Sequence, residues 1–442
     1  MDHFEIDRQT IDDLGIFSAE GTTVYSLFNL VKTIGGEKKL LQMMETPSFD
    51  INILNSRKQT IKYFYDYKTD FPVKKKDVDF IEHYLAYNRD PLKDNLVDAS
   101  INKARNYFNS GNDNYTISEG IKAIHKLLII LNDFYKSVNL EDANQVIADI
   151  VVFLSDLLQK RNMQKLIAEN PEKKLTFLEL SHYDNLFRKK EISAIKNLLN
   201  TVYELDVYIA VATSAEKNGF CFADYSGADD CFVEVSGLYH PCIKNPVAND
   251  AKIGIGKNLM FLTGANMAGK SSFIKALGLC IYLSHIGFPV PAKGMKTGIF
   301  EGLITTINIS DNISAGYSHY FSEVNRIKKT AQKISGHDKL LIVFDELFRG
   351  TNVKDAFNAS LAIIKALSNI KNSIFIVSTH IVELANELRN TEGISFNYFN
   401  AQIVNGEPLF DYRLREGVSS ETLGYFIFER EGIIDLLEKA AR

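Results

Sequence analysis

The sequence predicts an α plus α/β architecture: an all-helical N-terminal domain over residues 1–217 and an α/β domain with a mainly parallel central sheet over residues 218–442. Three observations predict it. Across residues 23–217 prolines and glycines are sparse and apolar residues recur at three-to-four spacing, the pattern of helices that bury one face. After Gly219 the pattern changes to apolar runs of strand length at residues 259–262, 340–344 and 374–377. Each run ends in polar residues, as expected of parallel strands covered on both faces whose C-terminal ends border a ligand site.

The clearest helical stripe is Ile192, Ile195, Leu199, Val202, Leu205, Ile209 and Ala212, one helix of roughly six turns stopped by Gly219. Such a helix serves equally as the core of a bundle and as a lever. Asn245-Pro246 and the glycines at 254 and 256 are turn signals ahead of the apolar run at 259–262.

That run leads into Thr263-Gly264-Ala265-Asn266-Met267-Ala268-Gly269-Lys270-Ser271-Ser272, and a helix-like apolar stretch follows. Gly264, four residues, then Gly269-Lys270-Ser271 is a phosphate-binding spacing. Glycine lets the backbone bend tightly, so that consecutive N–H groups surround phosphate oxygens at a helix N-terminus. Lys270 then reaches the outer phosphates and the Ser271 hydroxyl takes Mg²⁺.

Downstream, Asp345-Glu346 ends the run at 340–344. Asp345 is placed to hold Mg²⁺ and Glu346 to position attacking water, whereas ordinary turn carboxylates are the bland alternative. His380 ends the third run and is a candidate γ-phosphate sensor, although a lone histidine at a strand end is more often structural.

These motifs resemble those of the MutS ATPases of DNA mismatch repair. Asn266-Met267 between the glycines is similar to the MutS form of the loop and is not required of phosphate loops in general. Residues 345–352, Asp-Glu-Leu-Phe-Arg-Gly-Thr-Asn, look like the family's acidic strand and following turn, and Ser378-Thr379-His380 like its Thr-His step. Residues 314–324 resemble the segment whose serine reaches a partner's nucleotide, which gives Ser318 that role. Tyr317 and His319 depart from the Arg and Thr usual on either side. Residues 417–425 are similar to the closing segment that helps clasp a second subunit, and Tyr412 before it is placed to stack on adenine. Residues 6–14, 23–28 and 45–47 look like the start of the family's core domain.

The resemblance implies a P-loop ATPase domain of ABC type, using ATP and Mg²⁺ in a composite homodimer site. It implies catalytic roles for Lys270, Glu346, His380 and Ser318, and nucleotide contacts from Gly264, Asn266, Met267, Ala268, Gly269, Lys270, Ser271, Ser272 and Tyr412. Ser271 and Asp345 would be the metal ligands. It also implies a DNA partner in repair or recombination. The sequence starts at the core-domain signature, so a short form without mismatch-recognition and connector domains is expected, with the clamp short or absent between Tyr63 and Lys190. An ATP-driven dimeric switch acting on a protein, RNA or ribosome is the alternative. A transporter-type ATPase fits less well, because no Leu-Ser-Gly-Gly sequence precedes Asp345.

Composition adds limits. Apolar residues make up 45% and charged residues 24% of the chain, as in ordinary globular proteins. No signal-peptide pattern or membrane-length apolar run occurs, so a cytoplasmic protein is expected. Cys221, Cys231, Cys242 and Cys280 lack zinc-site spacing and read as reduced thiols. The net charge of −5 does not mark a nucleic-acid binder. The short runs Lys74-Lys75-Lys76 and Arg188-Lys189-Lys190 are the basic candidates for phosphate contact, against the commoner reading as solvated helix ends.

Overall fold

The computed structural model describes residues 3–17, 22–92, 111–227, 231–254, 256–307, 319–348, 350–404, 407–419, 430 and 432–440 of the chain. It divides into two compact units. Met1–Leu27, Thr46–Asn55 and Ala215–Arg442 form one; Phe28–Glu45 and Ser56–Ser214 form the other.

The first unit holds two sheets. Strands β1 (Glu5–Ile6), β5 (Leu259–Gly264), β7 (Gly302–Thr306), β8 (Leu340–Asp345), β9 (Ile374–Ser378), β10 (Ile394–Val404) and β11 (Glu407–Glu416) form a seven-stranded sheet ordered β1-β7-β8-β9-β5-β10-β11. Every pairing is parallel except β10 with β11. All residues of β5, β7, β8 and β9 are buried, which is why they read as unbroken apolar runs. Phe261, Ile342, Phe344, Phe375, Ile364 and Leu384 belong to the core cluster of this sheet.

Strands β2 (Ala223–Tyr225), β3 (Phe232–Leu238), β4 (Asn249–Gly254) and β6 (Gly294–Thr297) form a second sheet ordered β2-β6-β3-β4. Its strands alternate. Val233, Val235 and Met295 are buried, while Asp224, Lys296, Glu234 and Lys252 stand exposed and in register across the four strands. Opposite charges thus meet side by side on a wet face.

The chain start belongs with this unit. β1 pairs with β7, Asp7 caps the helix Arg8–Asp13 through Thr10 N–H at 3.0 Å, and buried Asp13 accepts from Thr305 Oγ1 at 2.8 Å and from Ile307 N–H at 2.9 Å. Arg326, on the helix His319–Ile334, pairs with Asp7. A single cut at residue 217 assigns these N-terminal residues to the helical part, whereas their strand pairing and buried carboxylate contacts put them in the sheet-bearing unit. Further along the chain the two units divide at Ser214/Ala215.

The second unit is helical. Its longest members include Gly111–Ser137 and Gln145–Leu158, and most of the 27-residue helix Ile192–Asn218. Ile195, Leu199, Val202, Leu205 and Ala212 of the expected stripe are buried, and so are Val207, Tyr208 and Val211, so the helix is covered over more of its surface than one stripe requires. Asp206 is buried as well. It accepts from Thr33 N–H at 2.8 Å, Thr33 Oγ1 at 2.7 Å and Lys32 N–H at 2.9 Å, satisfying amides at the start of the helix Ile34–Glu45. Gly219, at φ 67°, ends the long helix with Phe220 N–H bonded to Ala215 O at 3.0 Å, a left-handed cap that glycine adopts without a Cβ clash.

Candidate nucleotide site

The loop between β5 and the helix Lys270–Ser284 has the backbone a phosphate cradle needs. Gly264 takes φ 140°, and a Cβ there would stand 2.7 Å from the Phe399 carbonyl oxygen; Gly269 takes φ 110°. Both positions are closed to L side chains without strain. Met267 reaches φ 70° at the loop tip with its side chain exposed. The helix then starts at Lys270 and is buried along nearly its whole length, so the direction of its N-terminus is fixed by packing.

Lys270 is itself buried, with Nζ donating to the Gly264 carbonyl at 2.7 Å and to the Ala265 carbonyl at 3.3 Å. The ammonium is therefore held at the floor of the loop. Ser271 Oγ donates to Asp345 Oδ2 at 2.6 Å. Ser378 Oγ donates to Asp345 Oδ1, its register partner across β8 and β9. Glu346 follows at φ 61°, a left-handed backbone costly for a non-glycine residue, and its N–H bonds to Ser378 O at 3.1 Å. His380 Nδ1 lies 3.7 Å from Glu346 Oε2, and its ring is largely exposed. Loop, Asp345-Glu346 and Ser378-Thr379-His380 thus meet at the C-terminal ends of three adjacent strands, β5, β9 and β8.

A cavity of about 440 Å³ opens above the loop. It is lined by Asn266, Met267, Gly269, Lys270, Ser271, Ser272 and Glu346, by Tyr239, His240, Asn245, Pro246 and Val247 from the connection between β3 and β4, and by Tyr412 and Phe399. Tyr412 sits at φ 54°, and its Cδ1 lies 3.4 Å from where a Cβ on Gly269 would be. Burial, with Lys275 nearby, holds the His240 imidazole below its usual pKa. A larger hollow of about 920 Å³ borders the charged outer face of β2, β3, β4 and β6, and none of the motifs falls in it.

The serine hydroxyl and carboxylate pair is a hard oxygen donor set that suits Mg²⁺, which takes few protein ligands and completes its shell with phosphate and water. Among the described residues no group of three His, Cys, Asp or Glu side chains offers a metal cage. The four cysteines are free. Burial pushes the Cys221 and Cys231 thiols up to about 11, away from reactive thiolate.

The family model for MutS domain V matches residues 260–441, from within β5 to near the chain end. The DNA mismatch repair protein MutS of Anaplasma phagocytophilum (strain HZ) is 31% identical over 229 residues, 51% of this chain and 27% of that protein. The protein of the same name from Lactobacillus helveticus (strain DPC 4571) is 27% identical over 251 residues, covering 55% and 29%. That from Shouchella clausii (strain KSM-K16) is 27% identical over 281 residues, covering 62% and 32%. Residues 260–441 belong to the MutS domain V family. The chain spans about a third or less of the length of these MutS relatives.

The MutS domain V match contains Gly264 to Ser272, Ser318, Asp345, Glu346, His380 and Tyr412. The structure brings all of these together except Ser318, which lies outside the described residues, as do Arg349 and residues 420–429. The wall from Tyr239 to Val247 lies ahead of the match, and motif reading passed over it; the Asn245-Pro246 turn was its one signal.

Two basic runs were candidates for phosphate contact. Lys74, Lys75 and Lys76 are exposed at the start of the helix Lys75–Leu85. Arg188 is not available: its side chain is 4% exposed, its Nε and Nη2 pair with Asp184 at 2.7 and 2.8 Å, and its guanidinium lies 5.3 Å from the Tyr84 ring centroid. No described helix is long and apolar enough to cross a membrane.

Proposed function

We propose that this chain binds ATP with Mg²⁺ in the cavity above residues 264–271, hydrolyses it, and uses the cycle to act on DNA. The observation that carries the reading is the Ser271–Asp345 hydrogen bond at 2.6 Å, which puts a hydroxyl and a carboxylate where a nucleotide's metal is held in phosphate-loop enzymes. Loop amides and the helix N-terminus receive the phosphates. Lys270 offsets charge on the transferring phosphoryl group. When bound, Mg²⁺ would neutralise charge on the outer phosphates, with Ser271 and Asp345 as its protein ligands. Glu346 orients the attacking water, and His380, beside it, hydrogen-bonds toward the γ-phosphate. Ser318 from a second copy completes the site, so nucleotide state and dimer closure are linked.

Calorimetry of MgATP with the wild type and Lys270→Ala tests the binding step: the variant should lose at least tenfold in affinity, and equal affinities would remove the loop from the account. Gel filtration of Glu346→Ala with and without ATP tests the dimer, which should form or tighten only with nucleotide. DNA is the partner the family relation favours. A switch acting on a protein, RNA or ribosome is the second reading, and the internal pairing of Arg188, together with the net charge of −5, speaks for it. Binding to homoduplex, mismatched and branched DNA over a salt series separates the two, since no binding to any form at low salt rejects the DNA reading.

A further inference from the structure

We infer that Asn249 is a positioning residue that sets the base-binding slot of the nucleotide cavity. This rests on the ATP reading above and adds what fixes the geometry at the base end.

Asn249 opens β4, and its side-chain amide is fully engaged. Nδ2 donates to the Tyr412 carbonyl at 3.0 Å and to the Val247 carbonyl at 3.3 Å, while Oδ1 accepts from Leu414 N–H at 2.7 Å. Two carbonyls on one side and one amide N–H on the other fix which way the group points. Val247 and Tyr412 line the same cavity, from the β3–β4 connection and from β11. One side chain therefore ties two walls of the cavity together and sets the gap between them.

The tie falls where the backbone needs it. Tyr412 has φ 54° in an edge strand, a conformation unfavourable for a tyrosine and kept only where neighbours over-determine it. Bonds to the carbonyl of Tyr412 and to the amide two residues later bracket that position. The ring consequently lies against Gly269, beside the phosphate loop. A planar aromatic surface so held, in a cavity that Pro246 and Val247 also line, suits the flat face of a purine. Tyr412 sits in the bulge where residues 411–413 of β11 face one residue of β10; without Asn249 the carbonyl and amide that bracket this bulge lose their tie, and the ring loses its fixed place beside the phosphate loop.

The test separates base from phosphate. Calorimetry compares MgATP with Mg²⁺-tripolyphosphate, which lacks base and sugar, for wild type, Asn249→Ala, Tyr412→Ala and the double variant. Asn249→Ala should weaken MgATP by about three- to tenfold, the range of one lost aromatic contact, and leave tripolyphosphate unchanged. The double variant should be no weaker than Tyr412→Ala alone, because both changes remove the same contact. Asn249→Asp, which keeps the acceptor for Leu414 and loses the donor, should behave like Asn249→Ala and guards against a folding defect. A spectroscopic check uses the absence of tryptophan from the chain: Tyr412→Trp gives a single reporter whose emission should change with MgATP and cease to respond once Asn249→Ala is added. Unchanged MgATP affinity in Asn249→Ala, equal loss for both ligands, or additive effects in the double variant would each overturn the inference while leaving the phosphate loop in place. A wild type that binds neither ligand would overturn the nucleotide reading itself, and this inference with it.

Discussion

Ser271 Oγ and Asp345 Oδ2 are joined by a 2.6 Å hydrogen bond although 74 residues separate them. The other Asp345 oxygen is held by Ser378, so both oxygens of this buried carboxylate are fixed before any ligand arrives. Preorganisation of this kind lowers the reorganisation needed at the moment of reaction.

Asp345→Asn should keep the fold and both serine contacts in altered form, but lose the negative charge that favours a divalent cation. The Mg²⁺ concentration for half-maximal ATP turnover is expected to rise by at least about tenfold. Ser378→Ala, which frees one carboxylate oxygen, should give a smaller shift in the same direction. A Mg²⁺ titration of turnover measures both, and identical curves for wild type and Asp345→Asn would dissociate Asp345 from the metal.

Stability should fall with acid between about pH 6.5 and 4, because of His285. Its ring is buried, with Nδ1 2.8 Å from Ile281 O and Nε2 accepting from Phe300 N–H at 2.9 Å, and burial lowers its pKa to about 4. The native ring is neutral while the unfolded one takes up a proton near 6.5, so the contribution is complete above about 6.5 and is lost as pH falls toward 4, by roughly 3 kcal/mol. Burial alone would raise the Asp7 carboxyl, but Arg326 and Thr10 outweigh it and hold it well below the ordinary range, so Asp7 adds its own loss only below about pH 4. Urea midpoints for the wild type at pH 7 and pH 5, compared with those of a His285→Gln variant, measure the slope. A slope in this window that is the same in both proteins counts against His285 as its source.

Arg188→Ala should destabilise the helical unit by roughly 3 kcal/mol, since the buried Asp184 carboxylate loses its counter-charge and keeps only the hydrogen bonds from Tyr84 OH and Leu92 N–H. It should leave the salt dependence of any DNA binding unchanged. Thermal unfolding and a salt series read the two effects separately; a reduced salt slope with normal stability would make Arg188 a phosphate ligand after all.

The nucleotide loop was legible because its chemistry is local. Gly264 and Gly269 are required by backbone geometry, and Lys270 and Ser271 follow at fixed spacing. Asp345 and His380 were legible because fully buried parallel strands leave apolar runs that point to their own ends. Strand β1 was not, because two residues carry no periodicity and its place depends on contacts made nearly three hundred residues away, such as Asp13 with Thr305. Arg188 misled for a related reason: a basic run looks the same whether wet or buried. Only its partner Asp184, one helical turn earlier, and Tyr84 decide the matter. The cavity wall from Tyr239 to Val247 and the Asn249 tie escaped notice because a loop wall has no repeating pattern and its role arises only when β11 lies beside it.

The most direct test of the central claim is steady-state ATP turnover by the purified chain with Mg²⁺, beside Glu346→Ala and Lys270→Ala. Mg²⁺-dependent turnover is expected in the wild type, with loss of at least about a hundredfold in Glu346→Ala while MgATP still binds, and loss of both turnover and tight binding in Lys270→Ala. Turnover that persists at the wild-type rate in either variant would contradict the claim.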